Sequence, residues 1–538
     1  SQTICSNTTP TALTETAAAT GNGTLTYQWQ SSTDGTNYAD ISGATATTYA
    51  PGALTQDTWF KRVVTSTVIV NGVSCSSSTI AGTAVKITIN NINPGTVAGT
   101  QAVCYNGDPA AFTVATAATA TVGATITYQW EKSTTDCNSG FTNISPNGTF
   151  ATYDAPTGLT VTTYYKRKTT STLSGIACSD YSNCITVFVN NVTAGTIAGD
   201  QTICGNDPAA FTESVVATGS GTLTYQWQSN TTGCGGTFVN IIGATSATYD
   251  PPPGISTTTY YKRVTTSTLL GAQCTAISNC ITVIYNGVTP GTISKNETVC
   301  YGGDPAAFTV TTAATGVNLS YQWQKSTVGA TGPWTDISPN GTNATYDEPG
   351  PITQNTFYQR IAKSTIGASV CSAVSNYVIV YVNNVTPSVI SGDQSLCSNL
   401  DPAAFTVSTA ATGSGTLSYQ WQSNTTGCGG SWNNIASAIS ATYNPPVISQ
   451  TTYYRVMVTS TLNSQACIHY SNCLTVTVLA KTWNGSAGTN WNNAANWTPN
   501  GIPDASNCVT IPNIATKPII GTNAFANSLT IQNGGILN

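Results

Sequence analysis

Along much of the chain, apolar and polar residues alternate with a period of two. Leu223, Tyr225 and Trp227 share one face of a pleated segment, while Thr222, Thr224, Gln226 and Gln228 share the other. Ile185, Val187 and Val189 alternate in the same way. This is the pattern of half-buried strands. No window carries a helical period, and the abundant Thr and Val suit a pleated surface better than a helix. Asn-Gly, Gly-Gly and Asp-Pro dipeptides punctuate the segments as turns. The pattern predicts an all-β chain of short strands.

The strands recur as a unit of about 97 residues, repeated five times. Cys5, Cys104, Cys204, Cys300 and Cys397 open the units. A Tyr-Gln-Trp follows in each, with Trp29, Trp130, Trp227, Trp323 and Trp421 spaced 101, 97, 96 and 98 residues apart. Later come Tyr49, Tyr153, Tyr249, Tyr346 and Tyr443, then an aromatic pair such as Tyr164-Tyr165 or Tyr260-Tyr261, then a closing apolar and Thr-rich run. A unit of this length is a domain rather than a solenoid rung, and its strand density predicts a β-sandwich. The expected domains are 1–90, 95–190, 195–286, 290–383 and 387–479, with a different segment at 480–538. The links between them, such as Asn-Asn-Ile-Asn-Pro-Gly at 90–95, are too short to act as loose tethers, which predicts a stiff row of domains.

The motifs carry a resemblance. Tyr-Gln-Trp-Gln, then Thr-Thr-Tyr-Tyr-Lys-Arg, then Ser-Asn-Cys-Ile-Thr-Val resembles the immunoglobulin-like repeats of surface proteins in Bacteroidota bacteria, over residues 1 to about 479. The resemblance implies that an inward Trp anchors the two sheets, a role it assigns to Trp29, Trp130, Trp227, Trp323 and Trp421. The antibody disulfide is not implied, because the first Cys lies some 25 residues before the Trp. The Trp- and Asn-rich stretch from Trp483 resembles one placed ahead of the sorting domain used in type IX secretion.

Composition narrows the function. Only 7% of residues are charged, against roughly 25% in ordinary soluble domains. With a net charge of -5 and no Lys/Arg run, nucleic acid and anionic membranes are not expected partners. No stretch is long and apolar enough to span a bilayer.

Seventeen cysteines at regular spacing favour an oxidising, extracellular setting. Units one and four hold only an opening and a later Cys, which predicts Cys5 with Cys75 and Cys300 with Cys371. By alignment, Cys104 pairs with Cys178, Cys204 with Cys274 and Cys397 with Cys467. The other cysteines occur together or not at all, predicting Cys137 with Cys184, Cys234 with Cys280, and Cys428 with Cys473. Each loop of about 70 residues would contribute on the order of 4 kcal/mol in the chain-entropy account. Cys508 is left over, either as a buried thiol or as an intermolecular link. No metal is expected, since the cysteines lack ligand spacing and His469 is the sole histidine.

Two ends are irregular. Units two to five follow a preamble such as Gly-Thr-Val-Ala-Gly, whereas unit one starts directly at Ser1. Residues 528–537 read as a lone β-solenoid rung that would leave a sheet edge unpaired. Together they predict strand addition between copies, propagating head to tail.

Candidate chemistry is sparse. A triad would have to form around His469. Asp108, Asp207, Asp304 and Asp401 recur in Asp-Pro-Ala-Ala-Phe or its close variants, where a turn explains them. Arg62, Arg167, Arg263 and Arg360 recur after the aromatic pair and fit an ion pair or an aromatic face. Trp483, Trp491 and Trp497 are candidate sugar-stacking or interface aromatics, as are Trp334 and Trp432, with core or interface packing favoured over sugar stacking. The expected function is a non-enzymatic, cofactor-free subunit of a bacterial surface fibre. Rival readings are a monomeric adhesin stalk that holds out a tip for surface glycans or neighbouring-cell proteins, and the stalk of a larger secreted enzyme.

Overall fold

The computed structural model describes residues 1–538. It is all-β, with one short 3-10 turn at Ala494–Asn496 as the sole helical element. The chain divides into two compact units. The first holds residues 1–201 with 206–285, and the second holds 202–205 with 286–538. The segment around Cys204 therefore belongs with the second unit.

The second repeat shows how alternation becomes a sandwich. Its main sheet runs Thr142–Asn143, Thr125–Ser133, Thr163–Leu173, Ile185–Asn190, Gln101–Cys104, and Ile176–Tyr181 forms a hairpin with the far half of Thr163–Leu173. All pairs are antiparallel except the last on the path, where Gln101–Cys104 runs parallel to Ile185–Asn190 and places Cys104 opposite Asn190. Every second residue of Thr163–Leu173 is buried up to Ser171, and Ile185, Val187 and Val189 are buried as well. The opposing layer is small: Thr96–Ala98 pairs with Thr113–Thr116, and Phe112 bridges to Tyr153. The same main-sheet order recurs in repeats four and five. Repeat one lacks the layer strand before its opening strand, and its last strand, Val73–Asn90, is continuous.

The core is aromatic. Phe112, Trp130, Tyr153 and Tyr165 pack with ring centroids 4.9–6.0 Å apart, and equivalent clusters form around Trp227, Trp323 and Trp421. These three Trp and Trp130 are fully buried. Each indole N–H still finds an acceptor, as Trp130 does on the Phe150 carbonyl at 3.0 Å. A buried Trp needs that bond, and the loop supplies it at the same place each time, on Ser246, Asn343 and Ser440.

The tail is a domain rather than a lone rung. Ala480–Trp483, Cys508–Ile511 and Ser528–Ile531 form a parallel sheet, joined antiparallel by Trp497–Thr498. Sequence spacing had isolated the last of these strands. Its parallel partner, Cys508–Ile511, lies twenty residues upstream, and parallel pairing leaves no short hairpin signal in the sequence.

Candidate functional site: the repeat junctions

The junctions between consecutive repeats hold the most elaborate buried polar chemistry of the chain. Each is built from two ends. The donor end is the Asn at the end of a closing strand (Asn90, Asn190 or Asn383) or just past it (Asn286), beside the opening Cys of the same repeat. The acceptor end is the hairpin that carries the later Cys of the next repeat. The Asn190 Nδ2 donates to the carbonyls of Ser267 at 2.7 Å and Ala272 at 2.9 Å, and the Ser267 hydroxyl donates to its Oδ1 at 2.6 Å. Asn90 does the same with Ser171 and Ile176. Asn286 meets Ser364 and Ser369, and Asn383 meets Ser460 and Gln465. All four Asn are at most 1% exposed. Three bonds satisfy a buried amide that would otherwise be costly.

A disulfide lies beside each of these bonds, and it corrects the pairing expected from spacing. The opening cysteines pair forward, with the later Cys of the following repeat: Cys5–Cys178, Cys104–Cys274, Cys204–Cys371 and Cys300–Cys467. Pairs within a repeat (Cys5 with Cys75, Cys104 with Cys178, Cys204 with Cys274, Cys300 with Cys371, Cys397 with Cys467) do not form. The reason is geometric. Cys104 lies opposite Asn190, three residues beyond Val187, which faces Thr163. Cys178 faces Ser171, at the other end of that strand. About eleven residues at ~3.3 Å each separate the two by roughly 36 Å, whereas a disulfide requires Cα atoms about 4.4–6.8 Å apart. Across the junctions the Cα atoms are 5.3–5.6 Å apart.

Cys508 is also reassigned. It is neither a thiol nor an intermolecular link but bonds to Cys397, so the tail takes the acceptor place after repeat five. There Leu479 stands where the other repeats have Asn, and its carbonyl accepts from the Cys508 amide at 2.7 Å. The unpaired cysteine is Cys75, which is exposed. Three disulfides lie within single repeats: Cys137–Cys184, Cys234–Cys280 and Cys428–Cys473.

The other candidates fall into the cores. Trp483, Trp491 and Trp497 are at most 2% exposed and pack edge to face over Val509 and Ile511. They are not a sugar-stacking face, because the tail closes its sheet around them. Trp432 is half-buried, with the Arg455 guanidinium 4.5 Å over its ring. Arg167, Arg263 and Arg360 are fully buried, each guanidinium lying over the ring of Tyr128, Tyr225 or Tyr321. Glu15 pairs with Arg62 and Glu213 with Arg263, each at 2.7 Å. Arg167 and Arg360 are held instead by backbone carbonyls, including those of Pro94 and Pro290. Burial pulls both below the ordinary guanidinium value, while the tyrosine beneath each opposes the shift. The Asp304 carboxylate accepts from the Gly350 amide at 2.9 Å, as a turn residue does. His469 is exposed on a hairpin strand opposite Val458. No His, Cys, Asp and Glu cluster could hold a metal ion.

The strand order and the recurring Trp core define a tandem immunoglobulin-like protein. The family described as Domain of unknown function (DUF8696) matches at 1–91, 93–191, 193–287, 289–384 and 386–480. The chain belongs to that family. A second, Domain of unknown function (DUF8693), matches 482–538. No curated protein matches. Among solved structures the chain is similar to Sidekick-1 immunoglobulin domains 1–5, at 12% identity over 89% of this chain and 97% of that one, with a TM-score of 0.20. It is also similar to three N-terminal domains of the bacteriophage RB49 outer capsid protein Hoc, at 13% identity, 53% and 98% coverage and a TM-score of 0.26. Titin domains I67–I69 match at 9% identity, 53% and 95% coverage and a TM-score of 0.29. At such scores the fold assignment rests on the strand order itself. No helix is long and apolar enough to cross a membrane.

Proposed function

We propose that this protein is a non-enzymatic, load-bearing element of an extracellular fibre or stalk on a bacterial surface. The observation that carries the reading is the series of five disulfides, each joining one domain to the next. A disulfide within a domain limits how far that domain unravels, whereas one across a junction also keeps neighbours together when the backbone between them yields. Eight disulfides fit an oxidising exterior. Burial of the tail tryptophans removes the observation that favoured a glycan-binding tip. The test is antibody labelling of intact source cells, followed by a membrane-impermeant reductant and shear. Label on the outside that is shed only after both treatments is expected, and label reached only after lysis sinks the proposal.

A second reading is end-to-end self-association. Ser528–Ile531 is the edge strand of the tail sheet, with Leu529 and Ile531 each 44% exposed, and an open edge is a pairing template. Negative-stain microscopy with and without Leu529→Lys tests it. Polymers of the parent chain that vanish in the variant support it, and particles no longer than one chain refute it.

A further inference from the structure

We propose that the open face around Cys75 on the first repeat is the acceptor half of one more junction, whose occupant is an immunoglobulin-like repeat of the same family lying outside residues 1–538 and placed ahead of the first repeat. This goes beyond the load-bearing role, since it assigns a binding site and the chemistry of what fills it.

The sister repeats show what the face is for. In repeats two to five the hairpin Cys is bonded to the opening Cys of the preceding repeat, and the Ser below it holds the preceding Asn. The first repeat has the hairpin Cys and the Ser, but Ser66 faces Ser77 while Cys75 faces Val68. Ser66 accepts from the Gly23 amide, as Ser267 does from Gly221 and Ser460 from Gly415. Ser66 also lines a cavity of about 600 Å³ together with Val68, Cys75 and Ser77.

A second cavity of about 450 Å³ opens on the same repeat beside Trp29, Phe60 and Arg62. In later repeats a layer strand sits over the corresponding core. Val97, Ile197, Ile293 and Ile390 are buried there, their amides bonded to Asn183, Asn279, Asn376 and Asn472. Asn90 and Val97 are seven residues apart, so one continuous stretch serves both places.

A second copy of this chain does not supply the occupant, because all five opening cysteines are already bonded. One difference defines the occupant further. The hairpin of the first repeat is two residues longer on each strand, so Cys75 faces Val68 where Cys178 faces Ser171. The backbone carbonyls of Val68 and Val73 then stand where those of Ser171 and Ile176 receive Asn90, but the hydroxyl donor is replaced by an isopropyl group. Ile69, Val70 and Val73 are 58–72% exposed alongside. The matching donor residue is therefore apolar, as Leu479 is at the donor end of repeat five. Closure joins the two sulfurs in one S–S bond. The two thiol protons and two electrons pass to a small-molecule disulfide, which leaves as two thiols.

Peptide mapping of protein from its source, alkylated before lysis and kept unreduced, tests this directly. The expected finding is Cys75 bonded to a cysteine absent from residues 1–538, in a peptide ending its opening strand as Gln-Ala-Val-Cys does here. Cys75 found alkylated, capped by a small thiol, or bonded to a second copy overturns the proposal. The second experiment places a duplicate of residues 91–199 directly ahead of Ser1 and refolds the whole chain in oxidised and reduced glutathione. Bonding of Cys75 to the duplicate's Cys104, in higher yield when the duplicate carries Asn190→Leu, is expected. A Cys75 that stays reactive to iodoacetamide in the folded chain overturns the proposal, and equal yield from both duplicates overturns the apolar assignment.

Discussion

Pulling the chain from its two ends distinguishes the junction pairing from the pairing expected by spacing. With the disulfides intact and every domain unravelled, tension follows the shortest covalent route. That route runs 1–5, crosses to 178–204, crosses to 371–397, and crosses again to 508–538. It contains about 90 residues joined by about 86 peptide links, and at ~3.6 Å per link its contour is about 310 Å. Had each opening Cys bonded within its own repeat, the route would include every stretch between domains and all residues from 467 onward. It would then be about 650 Å long. The fully reduced chain of 538 residues reaches about 1,900 Å. Single-molecule force spectroscopy on terminally tethered protein reads this length from the final extension, first without reductant and then with it. A plateau near 310 Å that lengthens roughly sixfold on reduction is expected. A non-reduced contour near 650 Å would refute the junction pairing and return the load to the individual domains.

Asn190→Ala leaves the Ser267 hydroxyl and two carbonyls without their partner, at a cost of about 1–3 kcal/mol. Faster hydrogen exchange across 263–277 with the rest unchanged is the expected readout. Trp497→Ala empties a fully buried site and should cost about 3–5 kcal/mol, so limited proteolysis should digest 480–538 and spare the five repeats. Burial pushes Tyr165, Tyr261 and Tyr454 up to about 12. These groups stay neutral in the fold while the unfolded chain ionises near 10. Stability is therefore fully present below pH 10 and falls as the pH rises from 10 to 12. Denaturant titrations at pH 8, 10 and 11.5 check this, and a flat response contradicts it.

Much of the fold could be read from periodicity because a buried strand position leaves a mark at every second residue. Thr163–Leu173 and Ile185–Asn190 bury alternate residues, and their Trp, Tyr and Phe partners recur at fixed spacing. The three short-loop disulfides were legible because their cysteines come and go as pairs. The junction pairing was not legible, for a reason of symmetry. Sliding every long pair forward by one repeat turns regular separations of 70–74 residues into equally regular ones of 167–173, with 111 for the last, and still leaves one cysteine over, Cys75 in place of Cys508. Only the distance along Thr163–Leu173 separates the two solutions, and that distance needs the strand register. The junction Asn residues carried a signal that went unread: Asn at 90, 190, 286 and 383, matched by Ser at 171, 267, 364 and 460 one repeat later. The tail tryptophans pack in a core, the reading favoured over sugar stacking, and the parallel sheet that closes over them is what the sequence did not show.

The forward pairing also changes what a cut backbone does. Each link between domains, at 90–95, 190–195, 286–291, 383–388 and 479–482, lies inside the loop of a disulfide that joins the domains on either side. Cleaving one link releases nothing. Cleaving all five still leaves the first repeat bonded to the second through Cys5–Cys178, and so on to the tail through Cys397–Cys508. Held in this way, the two sides of a cut junction stay at high effective concentration, and the Asn and Ser contacts can close again. Pairing within repeats would behave oppositely, and one cut would part the chain. A protease site introduced at 193 and another at 289 make the comparison. On a non-reducing gel the doubly cleaved protein should migrate as one species, and on a reducing gel as three. Three fragments without reductant would show that the domains are clamped singly and that the junctions bear no covalent load.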